Sequence, residues 1–89
     1  MAQVTFAKAI RRHVDCPAAD VPGATLREVL DCYFAEHPDV RRYVLDDRGS
    51  VRRHIAIFVG DELIIDRFQL SDTVDRTTTV SVFQALSGG

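Results

Sequence analysis

The chain has 89 residues, 46% of them hydrophobic and 27% charged, with a formal net charge of −2. That length makes one domain with a small core, and that mix is the composition of an ordinary soluble globular protein. The charge balance gives no electrostatic footprint for nucleic acid, and no apolar run is long enough to span a bilayer, so neither is an expected partner.

The N-terminus lacks the charged-then-apolar pattern of an export signal, so a cytoplasmic protein is expected. In "QVTFAKAI", Val4 and Phe6 alternate with Thr5 and Ala7, the period of a half-buried strand, and Lys8 breaks the phase. A second short strand is expected between Val14 and Val21. Pro17 confines it to an edge or a bulge, and Pro22-Gly23 turns the chain.

The clearest element follows. Thr25 with Glu28 three residues on is a capping box. Leu26, Val29, Leu30, Tyr33 and Phe34 recur at helical spacing and form one apolar stripe, with Arg27, Asp31 and Glu36 facing water. Pro38 ends this helix near His37. The next segment reads as a connector with an extended piece at Tyr43–Leu45 and a loop tip over Asp46-Asp47-Arg48-Gly49-Ser50.

Ile55, Ile57 and Val59 alternate with His54, Ala56 and Phe58, the strongest strand signal in the chain. Gly60-Asp61 then predicts a tight turn into a short strand over Glu62–Ile65. Phe68 and Leu70 are expected to plug the core from a loop. "TTTVSVF" is β-branched and alternating, with Val80 and Val82 on one face, and it feeds directly into Ser87-Gly88-Gly89. The order strand, strand, helix, strand, short strand, strand predicts an α+β domain: a mixed sheet of four or five strands with one main helix across it. The first and last strands lie side by side in its middle, which is the ubiquitin-like β-grasp arrangement. The domain is expected to cover residues 1–86, with a flexible tail at 87–89.

Conventional chemistry finds little support. Cys16 and Cys32 read as reduced packing residues, Cys32 at the boundary of the helix stripe. His13, His37 and His54 are scattered, and neither they nor the cysteines have ligand spacing, so no metal site is expected. Asp46-Asp47 reads as a solvated loop rather than a catalytic dyad, and Arg52-Arg53 as a solvated edge, with a partner-docking patch as the alternative. There is no glycine-rich phosphate loop and no nucleophile–base spacing, so no catalytic residue is assigned and no bound cofactor is expected.

The terminal stretch is different. "VSVFQALSGG" resembles the end of the sulfur-carrier proteins that include the small subunit of molybdopterin synthase and the thiamine sulfur carrier: a last strand, an aromatic residue, a short apolar stretch, then a small residue and Gly-Gly. "VTFAKAIRR" and "IAIFVGDELI" resemble the opening strand and the strand–turn–strand of the same family, so the likeness spans the chain. It differs in lacking a glycine turn before the last strand, in having Gln84-Ala85 where prolines are common, and in a connector as long as that of carriers serving cysteine synthesis.

The resemblance implies a carrier and not an enzyme, at most a small subunit of an enzyme complex. The carboxylate of Gly89 would be adenylated with ATP by a ubiquitin-activating-like partner. It would then be converted to a thiocarboxylate by a sulfur donor and presented to a sulfur-accepting enzyme of molybdopterin, cysteine, thiamine or similar biosynthesis. Ser87 and Gly88 would form a thin arm, because glycine adds no bulk and bends freely. Phe83 and Leu86 would dock the partner beside it. Two further functions stay open: a ubiquitin-like modifier joined through Gly89 to lysines, and a non-covalent β-grasp adaptor.

Overall fold

The computed structural model describes residues 1–84. Leu86, Ser87, Gly88 and Gly89, four of the five residues nominated above, lie outside them. In chain order the elements are β1 (Ala2–Phe6), α1 (Lys8–Arg11), β2 (Ala19–Val21), α2 (Leu26–Glu36), α3 (Pro38–Val44), β3 (Ile55–Val59), β4 (Glu62–Leu63) and β5 (Thr79–Gln84). The strands form a mixed five-stranded sheet in the order β2-β1-β5-β3-β4. β1 runs parallel to β5, with Val4 opposite Val80, while β2 and β3 pair antiparallel with β1 and β5. The expected central pair is therefore β1 and β5, and β2, the strand after Pro17, is an edge.

Alternation decides which way each strand faces. Val4, Phe6, Ile55, Ile57, Val80 and Val82 point to one side and are buried. The stripe of α2 covers them: Leu26, Val29, Leu30, Tyr33 and Phe34 are all buried. Burying a side chain such as Leu30 contributes about 1.5–3 kcal/mol. The capping box is present at the start of α2. The Glu28 N–H donates to Thr25 Oγ1 at 3.3 Å, and Glu28 Oε1 accepts from the Ala24 N–H at 2.7 Å. The reciprocal bond thus reaches the residue before the cap.

Several sequence expectations need correction. Of the piece expected to be extended at Tyr43–Leu45, only Leu45 is, bridging Val51; Tyr43 and Val44 belong to α3, because Pro38 stands at the first turn of a new helix, where its missing N–H costs nothing. Asp39 in that first turn and Arg41 and Arg42 in the last suit the helix dipole. The strand does end just before Lys8, as its break in phase implies, and Lys8 opens the one-turn α1, whose Ile10 is fully buried. Phe68 does not plug the core; it is 74% exposed, and Leu70 alone is buried there. Cys32 is exposed and not a boundary residue. Arg27 does not face water freely: its guanidinium donates to the carbonyls of Gly49, Phe68 and Gln69 at 3.1–3.2 Å. The second strand, Ala19–Val21, falls within its expected span, while the fourth is shorter than expected, at Glu62–Leu63.

Candidate functional site: the open face beside β5

The face of the sheet turned away from α2 follows from the register. Ser81 lies opposite Phe58, Phe58 lies opposite Leu63, and Phe83 lies opposite Ala56. Residues directly opposed in an antiparallel pair share a face. Phe58, Leu63, Ser81 and Phe83 are therefore on one surface, with Thr5 of β1 beside Ser81. The ring of Phe83 is 44% exposed and meets Phe58 edge to face, with centroids 5.5 Å apart and planes at 89°. Phe58, Gly60, Asp61, Ser81 and Phe83 line a shallow depression of about 580 Å³.

The β3–β4 turn sets the rim of this depression. Gly60 has φ of 62°, and Asp61 does not share that sign, the pattern of a type II′ hairpin turn. The Gly60 N–H donates to the Thr79 carbonyl at 2.9 Å, tying the turn to the start of β5. At the other end of β5, Gln84 Oε1 accepts from the Tyr43 hydroxyl at 2.7 Å. Tyr43 also stacks on His13 and meets His54 edge to face. The last described residue is thus held by a side chain of α3, which is itself packed between His13 and His54.

Phe83, which the sequence left between finishing the core and docking a partner, is partly exposed near the end of the last strand. Phe58 and Leu63 complete the apolar surface and were not singled out from the sequence. The available signal was the out-of-phase Phe58, an aromatic at a position whose alternation makes it outward-facing.

Neither cysteine forms part of this surface. Cys16 is buried, and that burial pushes its thiol up, with the Asp15 charge adding and the Arg11 charge opposing. A raised thiol is a poor nucleophile. Tyr33 is pushed up to about 12, chiefly by burial, and its hydroxyl donates to the Pro17 carbonyl at 2.7 Å. Among the described residues no group of three or more His, Cys, Asp or Glu side chains could hold a metal ion, and no helix is long and apolar enough to cross a membrane.

Solved structures share this architecture. A chain of the BexX/CysO complex from Amycolatopsis orientalis is 24% identical, with a TM-score of 0.80 over 100% of both chains. CysO from Mycobacterium tuberculosis is 20% identical, with a TM-score of 0.81 over 97% of this chain and 100% of its own. The small archaeal modifier protein SAMP1 from Haloferax volcanii is 22% identical, with a TM-score of 0.77 over 99% and 98%. No protein-family model and no curated protein sequence matches the chain. The fold is the ubiquitin-like β-grasp that the order of the elements predicts.

Proposed function

We propose that this protein is a sulfur carrier of the β-grasp type, a co-substrate whose chemistry takes place on its partners. The observation that carries the reading is the position of β5. This strand is held in the sheet between β1 and β3, presents Phe83 on an open apolar face, and leads towards Ser87-Gly88-Gly89. The structural likeness to CysO and to a small archaeal modifier protein supports it.

In this reading the partner enzyme binds the Phe58–Phe83 face and takes the last residues into its active site. The Gly89 carboxylate attacks the α-phosphorus of ATP, and pyrophosphate leaves. Hydrosulfide then attacks the acyl carbon. A C–S bond forms as the bond to AMP breaks, the sulfur proton passes to solvent, and a thiocarboxylate results. An acceptor enzyme takes that sulfur in turn, in molybdopterin, cysteine, thiamine or similar biosynthesis.

Intact-mass analysis tests this. With a cognate activating enzyme, ATP and sulfide, the mass rises by the difference between one sulfur and one oxygen atom, and the gain disappears when Gly89 is deleted. A chain without both glycines that still sustains sulfur transfer in cells overturns the reading. The modifier names among the structural neighbours favour a second use of the same activation, in which a lysine amine attacks in place of sulfide. Covalent adducts bearing Gly89 on lysines of other proteins are the product that separates it.

A further inference from the structure

A second concave surface shares no lining residue with the Phe58–Phe83 depression. It is a cleft of about 580 Å³ lined by the 46–54 segment together with Arg67 and Phe68. Arg48, Arg52, Arg53 and Arg67 line it against a single carboxylate, Asp46. In a chain of net charge −2 this is a marked local excess of positive charge. Among the described residues, none of these four arginines forms an ion pair. Asp46 Oδ1 is engaged by the Arg48 and Ser50 N–H groups at 2.9 and 3.0 Å.

Two of the arginines are fixed from behind. Arg52 Nε donates to the Arg42 carbonyl at 2.9 Å, and one Arg67 nitrogen donates to the carbonyls of Arg52 and Ile55 at 2.6 and 2.8 Å. A guanidinium held this way keeps its remaining donors in a set orientation, and its planar fork matches a carboxylate. Arg48 and Arg53 are exposed and their side chains make no hydrogen bond among the described residues. Phe68, 74% exposed, supplies an aromatic surface in the same cleft. The cleft also borders the end of β5, because Ile55, directly after His54, pairs with Gln84.

We infer that this cleft is a recognition site for an acidic segment of a partner protein, one that carries clustered carboxylates beside an apolar side chain. The arginines take the carboxylates and Phe68 takes the apolar group. A bare inorganic anion would use the arginines and leave the aromatic without a role. A partner held here is seated near the end of the strand that precedes Gly89 in sequence, since Ile55, next to the cleft residue His54, pairs with Gln84. Charge attraction of this kind acts mainly on the rate of encounter and weakens with salt.

The test uses the full chain and three probes: a fluorescein-labelled peptide alternating glutamate with phenylalanine, the same peptide with glutamine for glutamate, and inorganic phosphate. Binding is read by anisotropy, and the site by amide chemical shifts. The glutamate peptide is expected to move the amides of Arg48, Arg52, Arg53 and Phe68. Arg48→Glu combined with Arg53→Glu should weaken it by about tenfold or more, with an unchanged melting temperature. Phe68→Ala should weaken the peptide and leave phosphate unaffected. Equal binding of the glutamine peptide, indifference to the double charge reversal, absence of binding, or phosphate moving these amides where the peptide does not would each overturn the proposal. No step at Gly89 enters the argument. A chain that is charged with sulfur but ignores the peptide sinks the cleft alone, and a chain that binds the peptide but is never charged sinks the carrier alone.

Discussion

Phe83 stands half out of the sheet with the Phe58 ring edge-on against it. Its removal takes little from the core, so Phe83→Ala should cost about 1 kcal/mol or less in stability. If the ring anchors the activating enzyme, the same variant should raise KM for the carrier by about tenfold while kcat holds; steady-state kinetics of adenylation measure both. Asp66 is a different kind of residue. The Gln69 N–H and the Ser71 hydroxyl, then the Phe68 N–H, donate to its carboxylate and hold it down at about 2 from an ordinary 3.8. A depressed folded value means that its contribution is complete above 3.8 and is lost as pH falls towards about 2. Asp46 and Asp75 are lowered in the same direction, chiefly by the N–H groups of Ser50 and Thr77 respectively. Thermal melts should therefore show a fall in Tm across that acid window, and a shallower fall in Asp66→Asn.

The start of α2 concentrates the stabilising devices at the scale of an element. Gly23 has φ of 148°, and a Cβ there would stand 2.8 Å from both the Val29 side chain and its backbone nitrogen. Gly23→Ala should cost about 1–3 kcal/mol, since the close contact includes backbone that cannot move aside. One turn on, Arg27 joins α2 to the 46–50 loop and to the 68–70 loop through three carbonyls. Arg27→Lys keeps the charge but lacks the planar fork, so it should lower the denaturant midpoint nearly as much as Arg27→Ala. In the middle of the helix, Leu30→Ala should cost about 2–5 kcal/mol by chemical denaturation, the range for a buried leucine that leaves a cavity. The stripe and the cap of α2 were legible because both are local: a spacing and a four-residue motif. The clamp by Arg27 was not, because its partners are remote in sequence, and a half-exposed arginine on a helix looks the same whether it meets water or carbonyls.

At the scale of the molecule, chain order and topology combine to separate core from working surface. β5, the strand that precedes the Gly-Gly ending in sequence, pairs with the first strand of the chain on one side and with β3 on the other, in the middle of the sheet. Val80 and Val82 close the core, and the nominated glycines follow them in sequence. Deleting Gly89 should therefore abolish charging by intact mass while leaving the melting temperature unchanged. Gly88→Val should impair charging almost as much, because a β-branched side chain adds bulk where the reacting carboxylate must be placed closely, and small misplacements can cost about 10²-fold in rate.

The sequence by itself determined the α+β class, the buried stripe of α2, the inward valines of β5 and the aromatic that precedes Gly-Gly. Each is a short-range pattern whose period or cap fixes its conformation. It also raised the β-grasp arrangement and the carrier chemistry through the likeness of its strands and its ending. Only the tertiary structure decided that Pro38 opens a helix and does not merely stop one, since a proline fits both positions and the packing of Val40 and Val44 selects between them. It alone decided that Leu70 is buried with φ of 57° while Phe68 lies outside, because the Asp66 hydrogen bonds turn that loop. And it alone gathered Arg48, Arg52, Arg53 and Arg67 around one cleft, which a net charge of −2 conceals, because net charge sums over a surface whose arrangement only folding sets.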